Sequence, residues 1–412
     1  MNLAIDQKRL QAEIDALAAI SEAEPPVVTR VVFSAADLKA RAWMKAKCQE
    51  AGLAVREDAI GNTFARWTGA DAAAPVVGTG SHIDAIPNAG KYDGVVGVLG
   101  GLEAMRALRA GGFCPKHSME LLIFTSEEPT RFGIGCLGSR MLAGTLTADA
   151  ARKLKDSEGA AVDEVRTKAG FLGELESVQL PAGYYKAFVE LHIEQGPLLE
   201  RQKVPLGVVT RIAAPASLRV TIEGEGGHAG AVLMPDRHDA LCAAGELTLA
   251  IENAARTSGA VDTVATVGMC DVFPGAVNSI PSRVRISVDV RDTNLERRDR
   301  VMRVMEEAGT AIAAKRGVAI EQELLNADAP ADSGPAVVEA LSRACEKHGF
   351  RFMPMTSRAY HDSLFVSRVA PVAMLFIPCR NGYSHRPDEY ASPGDIGRGA
   401  LVLAETLASL AG

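Results

Sequence analysis

Three of the chain's eight histidines, His82, His192 and His385, end or directly follow predicted core strands. A fourth apolar strand runs into Thr125-Ser126-Glu127-Glu128, and Asp93 lies in Tyr92-Asp93-Gly94 just ahead of a predicted helix. Five separate junctions or loops thus each deliver one imidazole or carboxylate toward one edge. Strand C-terminal ends are where open α/β sheets hold their ligands. Neutral imidazole and carboxylate together suit Zn²⁺ or Mn²⁺. Two such ions about 3.5–4 Å apart can share a carboxylate and a water, which becomes a nucleophile near neutral pH. A nearby carboxylate that is not a ligand must take the water's proton and hand it to the leaving group. The Glu127-Glu128 pair can supply a ligand and that base. Asp84, two residues after His82, is placed to orient its imidazole. Each residue alone has an ordinary reading: a strand-end His is often structural, and a Glu-Glu pair is usually solvated surface. Only their joint placement points to metal chemistry.

The elements that must position these groups show in the apolar pattern. Leu10, Ile14, Leu17 and Ile20 recur at helical spacing. Residues 35–51 predict a second helix, with Ser34 and Asp37 as a capping-box-like start and Gly52 as its stop. Strand 75–81 (PVVGTGS), helix 95–109, and the apolar strands 119–125 (MELLIFT), 187–193 (AFVELHI) and 372–378 (VAMLFIP) follow. Near-continuous apolar strands separated by helices imply a sheet covered on both faces, hence an α/β domain. From about residue 215 the order becomes strand 216–223, helix 236–256, strands 262–271 and 283–291, helix 295–316 and strand 317–325. This β-α-β-β-α-β order is that of a self-contained ferredoxin-like unit. The simplest account is an α/β domain of residues 1–212 and 328–412 interrupted by an inserted domain, 213–327, with hinges near 210–215 and 326–334.

Bulk properties bound the function. A chain of 412 residues exceeds one compact core of usual size. A net charge of −7 disfavours nucleic acid and anionic membrane surfaces as partners. The seven cysteines are scattered, without a CxxC pair, which fits a reducing compartment and argues against a disulfide framework or a thiolate zinc site. The N-terminal segment carries early charges and no apolar stretch leading to a cleavage site, so it is not read as a signal peptide. No apolar run approaches the ~20 residues of a membrane span. A soluble, cytoplasmic protein is the expectation.

The motifs carry a resemblance. Ser81-His82-Ile83-Asp84 and Lys91-Tyr92-Asp93-Gly94-Val95 resemble the SHxD and DG signatures of the M20 metallopeptidase superfamily. Thr125-Ser126-Glu127-Glu128 with Arg131-Phe132-Gly133 looks like its EE motif in the hydantoinase/carbamoylase branch. Leu191-His192-Ile193-Glu194-Gln195-Gly196-Pro197 is similar to that branch's LHIEQGP. Gly227-His228-Ala229-Gly230, Asn278-Ser279-Ile280-Pro281, Asp289-x-Arg291 and Tyr383-Ser384-His385 complete the set, in family order from about residue 10 onward. Carbamoylases and allantoate amidohydrolases usually read NHAGTTPM and SGAGHDA, where this chain has GGHAGAVLMPDR (226–237) and SRAYHDSLF (357–365). Those departures, with FIPCRNGYSH at 376–385, resemble the ureidoglycolate amidohydrolases of plants.

The resemblance implies a mixed α/β metallopeptidase-like catalytic domain and an inserted lid and dimerisation domain. His82 and His192 would hold one metal each in part, Asp93 would bridge, and Glu128 and His385 would complete the shell of two divalent ions, Mn²⁺ or Zn²⁺. Glu127 would be the general base. His228 would stabilise the oxyanion, reaching the active site of a partner subunit in a homodimer. Asn278 and Arg291 would bind a substrate carboxylate, Gln195 the ureido group, and Tyr360 and His361 would sit beside the substrate. The implied activity is hydrolysis of a ureido or N-carbamoyl C–N bond. An N-carbamoyl-L-amino acid or allantoate hydrolase is the near alternative and an M20-type dipeptidase or carboxypeptidase the further one; LHIEQGP and AYHDS speak against the peptidases. A non-catalytic module on the same fold would not need every ligand and Glu127.

Overall fold

The structure is a computed structural model and describes residues 3–412. The chain divides into one compact unit of Met1–Thr210, Asp332–Met355 and His361–Gly412, and a second of Arg211–Ala331 with Thr356–Tyr360.

The first unit is built on a nine-stranded mixed sheet. Its central order is Ala54–Glu57, Thr63–Trp67, Met119–Phe124, Val76–His82, Tyr185–Ile193, Val372–Ile377 and Leu206–Ile212. Four neighbours, Met119–Phe124, Val76–His82, Tyr185–Ile193 and Val372–Ile377, run parallel, so their C-terminal ends share one edge. Alternate residues on these strands serve two cores. Leu121, Ile123, Val189 and Leu191 pack in one cluster with residues of helices Val95–Ala110 and Pro393–Ala411. Leu122, Phe124 and Phe188 pack in another with Leu142 and Val366. Burial on both faces is why these strands read as unbroken apolar runs. Gly80 fits because a Cβ there would lie 2.0 Å from the Leu122 carbonyl oxygen of the adjoining strand, at a φ of +150°.

The second unit is a four-stranded antiparallel sheet ordered Val264–Phe273, Arg283–Asp292, Ala214–Glu223 and Ala319–Ala327. Ala240–Arg256 and Leu295–Arg316 are its helices, and Val220, Ile286 and Val288 share a core with Leu247, Ile251 and Met305. The first of these helices starts four residues later than the pattern suggests, because Asp239 caps it by accepting from the amides of Leu241 and Cys242.

One expected local device takes another form. Ser34 caps helix Ala35–Glu50 through the Asp37 amide, but the Asp37 carboxylate reaches past Ser34 to the Phe33 amide at 2.8 Å, so no reciprocal capping box forms. The same carboxylate oxygen pairs with Arg41 Nε at 2.8 Å, with both side chains buried. Arg41 Nη1 donates to the Gly61 carbonyl at 2.7 Å and to Thr125 Oγ1 at 3.3 Å, tying the helix to the start of the Ser126–Glu128 turn. Removing one partner of a buried pair typically costs about 3–5 kcal/mol, because the other charge is left uncompensated. Arg41→Met should therefore lower the urea midpoint reported by Trp43 and Trp67, both in the first unit, and Asp37→Asn in the same chain should restore part of it. An unchanged midpoint for Arg41→Met would contradict this reading of the pair.

Candidate metal centre

Each chemical side chain at the parallel edge is fixed by its own backbone. His82 is the last residue of its strand, and its Nδ1 lies 3.0 Å from the Asp84 carbonyl oxygen. A carbonyl only accepts, so Nδ1 carries a proton and Nε2 is the nitrogen turned toward Asp93. His192 is fixed alike, with Nδ1 3.0 Å from the Ile193 carbonyl. Both imidazoles are buried. Gly94, at φ +66°, opens the next helix, and a Cβ there would lie 2.5 Å from the His82 ring, so only glycine lets the Asp93 turn close over that imidazole.

The turn bearing the two glutamates is held from several sides. Ser126 has a left-handed φ of 55°. The Thr125 amide donates to Asn62 Oδ1 at 2.9 Å, and the amides of Cys136, Leu137 and Gly138 donate to the carbonyls of Glu127, Ser126 and Thr125. The Asp84 carboxylate accepts the amides of Glu127 (3.2 Å) and Glu128 (3.1 Å). Its role thus differs from the one expected. The Asp84 backbone carbonyl orients His82, while its carboxylate, 3.7 Å from Nδ1, fixes the glutamate turn.

These groups converge on Asp93. His192 Nε2 lies 3.2 Å and His82 Nε2 3.7 Å from Oδ1, whereas His385 Nε2 lies 3.3 Å from Oδ2 and 3.1 Å from Glu128 Oε1. Within each trio, His82–Asp93–His192 and Asp93–Glu128–His385, the ligand atoms lie within 4.8 Å of one another. Both His82 and His192 thus face the same oxygen of Asp93, an arrangement in which they would share one ion rather than divide between two. Nitrogen and carboxylate donors on both oxygens of one shared carboxylate are a donor set that divalent cations fit. Glu127 belongs to neither trio; its Oε2 lies 3.7 Å from His82 Nε2, and its Oε1 accepts from Cys136 Sγ at 3.5 Å. Burial pushes the Glu127 carboxyl well above its usual range; His82 opposes this, and the charges of Glu128, Asp362 and Asp93 reinforce it. Burial also acts to raise Asp93, but its hydrogen bonds with His192, His385 and His82 hold it well below the carboxylate range.

His385 does not directly follow its strand. It lies in a loop beyond the Arg380–Gly382 turn, with φ 60°, and its side chain is 47% exposed. Gln195 Nε2 is bound to Asp93 Oδ2 at 2.7 Å, while Gln195 Oε1 is buried without a hydrogen-bond partner. The buried His361 ring stands 4.4 Å from that of His192. A third group capable of ligation, Glu190–His192–His361, surrounds this contact. Tyr360 belongs to the second unit, where the Arg291 guanidinium lies 5.2 Å from its ring. Arg291 Nε pairs with Asp289 at 2.6 Å, so the expected carboxylate fork is held by an acidic neighbour. His228 and Asn278 are neighbours in the same unit. The strand Gly227–His228 pairs with Ser279–Ile280, and the Ala229 amide donates to the Asn278 carbonyl.

Sequence reasoning missed Glu190, Asp362, Ser384 and Glu389, all in the first unit. Glu190 accepts from Ser81 Oγ and from Ser363 N and Oγ. An acidic residue inside the apolar run AFVELHI was the available signal. Burial and the neighbouring Glu190 push Asp362 up to about 8.

Residues 78–409 match Peptidase family M20/M25/M40. The chain is 50% identical to a ureidoglycolate hydrolase of Oryza sativa subsp. japonica, over 98% of this chain and 85% of the relative. It is 38% identical to an N-carbamoyl-L-amino acid amidohydrolase of Geobacillus stearothermophilus, over 99% of each. A crystal structure of AtUAH in complex with (S)-hydroxyglycine superposes with a TM-score of 0.94 at 49% identity, covering 99% of this chain and 98% of that one.

Hydrogen bonds to Asp93 and then Glu128 push His385 up to about 11, so at lower pH its imidazole is protonated and offers no lone pair. A cation entering between Glu128 and His385 must displace that proton, so affinity rises with pH, by about tenfold per unit for one proton released. Mn²⁺ titration calorimetry in buffers of differing ionisation enthalpy should show net proton release near neutral pH. Heats independent of the buffer would contradict it.

Proposed function

The chain belongs to peptidase family M20/M25/M40, and from that premise we propose that it is a metal-dependent amidohydrolase cleaving the carbamoyl C–N bond of a ureido acid, with (S)-ureidoglycolate its best-fitting substrate. The observation that carries the reading is the pair of ligand trios sharing Asp93 with Glu127, the uncommitted carboxylate, beside them. Supporting the substrate are the rice relative's name and the bound (S)-hydroxyglycine of the solved relative, the fragment left when ureidoglycolate loses its carbamoyl group.

Two divalent ions, Mn²⁺ or Zn²⁺, held by His82, His192, Asp93, Glu128 and His385 would polarise the carbamoyl oxygen and acidify a water. Glu127 takes the proton of the attacking water and returns it to the departing nitrogen, which leaves as ammonia; the carbamate then loses CO₂. Gln195, anchored through Nε2, keeps Oε1 as a buried acceptor for a ureido N–H. His228 Nδ1 accepts from the Gly230 amide at 3.1 Å, which leaves Nε2–H as the donor to an oxygen gaining charge. Asn278 and Arg291 take the substrate carboxylate, with Arg291 stacked on Tyr360, and His361 lies beside the metal ligands on the substrate side. The second unit also carries the homodimer contact: Val264–Phe273 lies at its sheet's edge with Met269 and Phe273 exposed, an edge suited to pairing with another copy.

A turnover panel tests the assignment. Ammonia release from (S)-ureidoglycolate should exceed that from allantoate, N-carbamoyl-β-alanine and N-carbamoyl-L-amino acids, with Mn²⁺ or Zn²⁺ supplied. Preference for a carbamoyl amino acid would move the substrate, and release of amino acids from dipeptides would overturn the ureido reading. Glu127→Gln should lower kcat by roughly 10²–10⁴ with metal content unchanged. Activity unaffected by this change would remove Glu127 as the base. Arg291→Ala should raise KM steeply, by roughly 2–5 kcal/mol of lost carboxylate binding. An unaltered KM would place the anchor elsewhere.

A further inference from the structure

The two ligand trios are supported unequally. His82 and His192 are buried and locked through Nδ1 onto backbone carbonyls of their own strands. His385 has no such support: it comes from a loop, in a left-handed conformation, with its side chain half-exposed. Four residues further on, Glu389 turns back under this loop and is 5% exposed. Its Oε1 accepts the Tyr92 amide at 2.7 Å and the Asp93 amide at 3.1 Å, and its Oε2 lies 3.0 Å from Ser384 Oγ, whose single proton is shared between this oxygen and Asp93. Ser384 Oγ also lies 2.5 Å from Asp93 Oδ2. One carboxylate thus grips the backbone of the shared ligand Asp93 and the residue next to His385. The approach is tight: a Cβ on Gly90 would lie 2.4 Å from Glu389 Cβ, so glycine is needed there for the two segments to meet.

We propose that Glu389 is a positioning residue that fixes the Asp93–Glu128–His385 side of the metal centre, by clamping the Asp93 backbone and the Ser384–His385 loop to each other. It does so without being a ligand, since both its oxygens face protein groups, the Tyr92 and Asp93 amides and the Ser384 hydroxyl. The inference rests on the proposed two-ion reading of the site. Its consequence is selective. Loss of the clamp frees the loop-borne imidazole and loosens the shared Asp93, so the ion beside His385 is weakened most, while the His82–His192 side keeps two supported imidazoles. Geometry rather than charge is the operative property. A glutamine can accept both amides through its carbonyl and donate its N–H to Ser384 Oγ, which then donates to Asp93.

Mn²⁺ binding to the metal-stripped full-length chain, counted by electron paramagnetic resonance of the free ion, tests this in four proteins. Wild type should bind two ions per chain. Glu389→Ala should weaken the second ion at least about tenfold more than the first, a difference of ~1.4 kcal/mol. Glu389→Gln should behave as wild type. Should Glu389→Ala not fold, Ser384→Ala, which removes only the hydroxyl link, should show the same selective weakening. Two ions bound normally by Glu389→Ala or Ser384→Ala would overturn the proposal. So would equal weakening of both ions, or a glutamine variant as impaired as alanine. A wild-type chain that binds fewer than two ions would instead overturn the two-ion reading beneath it.

Discussion

Both candidate ligand trios meet on the carboxylate of Asp93. One oxygen faces two imidazoles from core strands, and the other faces Glu128 and an imidazole from a loop. A shared carboxylate works only if its neighbours arrive within a few ångströms, and much of the first unit serves that end. Four parallel strands end at one edge. Gly94 removes the side chain that would strike His82. Asp84 spends both oxygens holding the amides of Glu127 and Glu128, so that consecutive residues of one turn do different work. Glu128 joins a ligand trio, and Glu127 stays outside with its carboxyl raised by burial.

The sequence showed the parts of this arrangement that leave a periodic or local trace. Strands buried on both faces read as unbroken apolar runs, and the observed Met119–Phe124 and Val372–Ile377 lie within one residue of the pattern. The β-α-β-β-α-β order of the second unit was legible because its strands alternate, and the observed sheet pairs them antiparallel. Short contributions were not legible. Asp37 looked like half of a capping box, yet its range of reach is set by the buried Arg41, which local spacing does not reveal. The pairing of His82 with His192 on one oxygen of Asp93 depends on strands 76–82 and 185–193 being neighbours, a fact of sheet order rather than of motif. Glu389 gave no signal at all, because its partners are backbone amides nearly 300 positions earlier in the chain.

The candidate residues also divide by unit. The candidate ligands and Glu127, with Gln195 and His361, belong to the first; His228, Asn278, Arg291 and Tyr360 belong to the second. The chain passes from one unit to the other between the consecutive residues Tyr360 and His361. The ring of the first lies against Arg291 and that of the second against His192, so a two-residue motif read from sequence contributes to two different clusters. The departure of this motif from the carbamoylase pattern falls where the chain passes from the second unit into the first.

Anomalous X-ray diffraction from crystals loaded with Mn²⁺ or Zn²⁺ tests the central claim most directly. The account predicts two peaks about 3.5–4 Å apart, one on each oxygen of Asp93, the first beside His82 and His192 and the second beside Glu128 and His385. A single peak, or two that do not share Asp93, would contradict it.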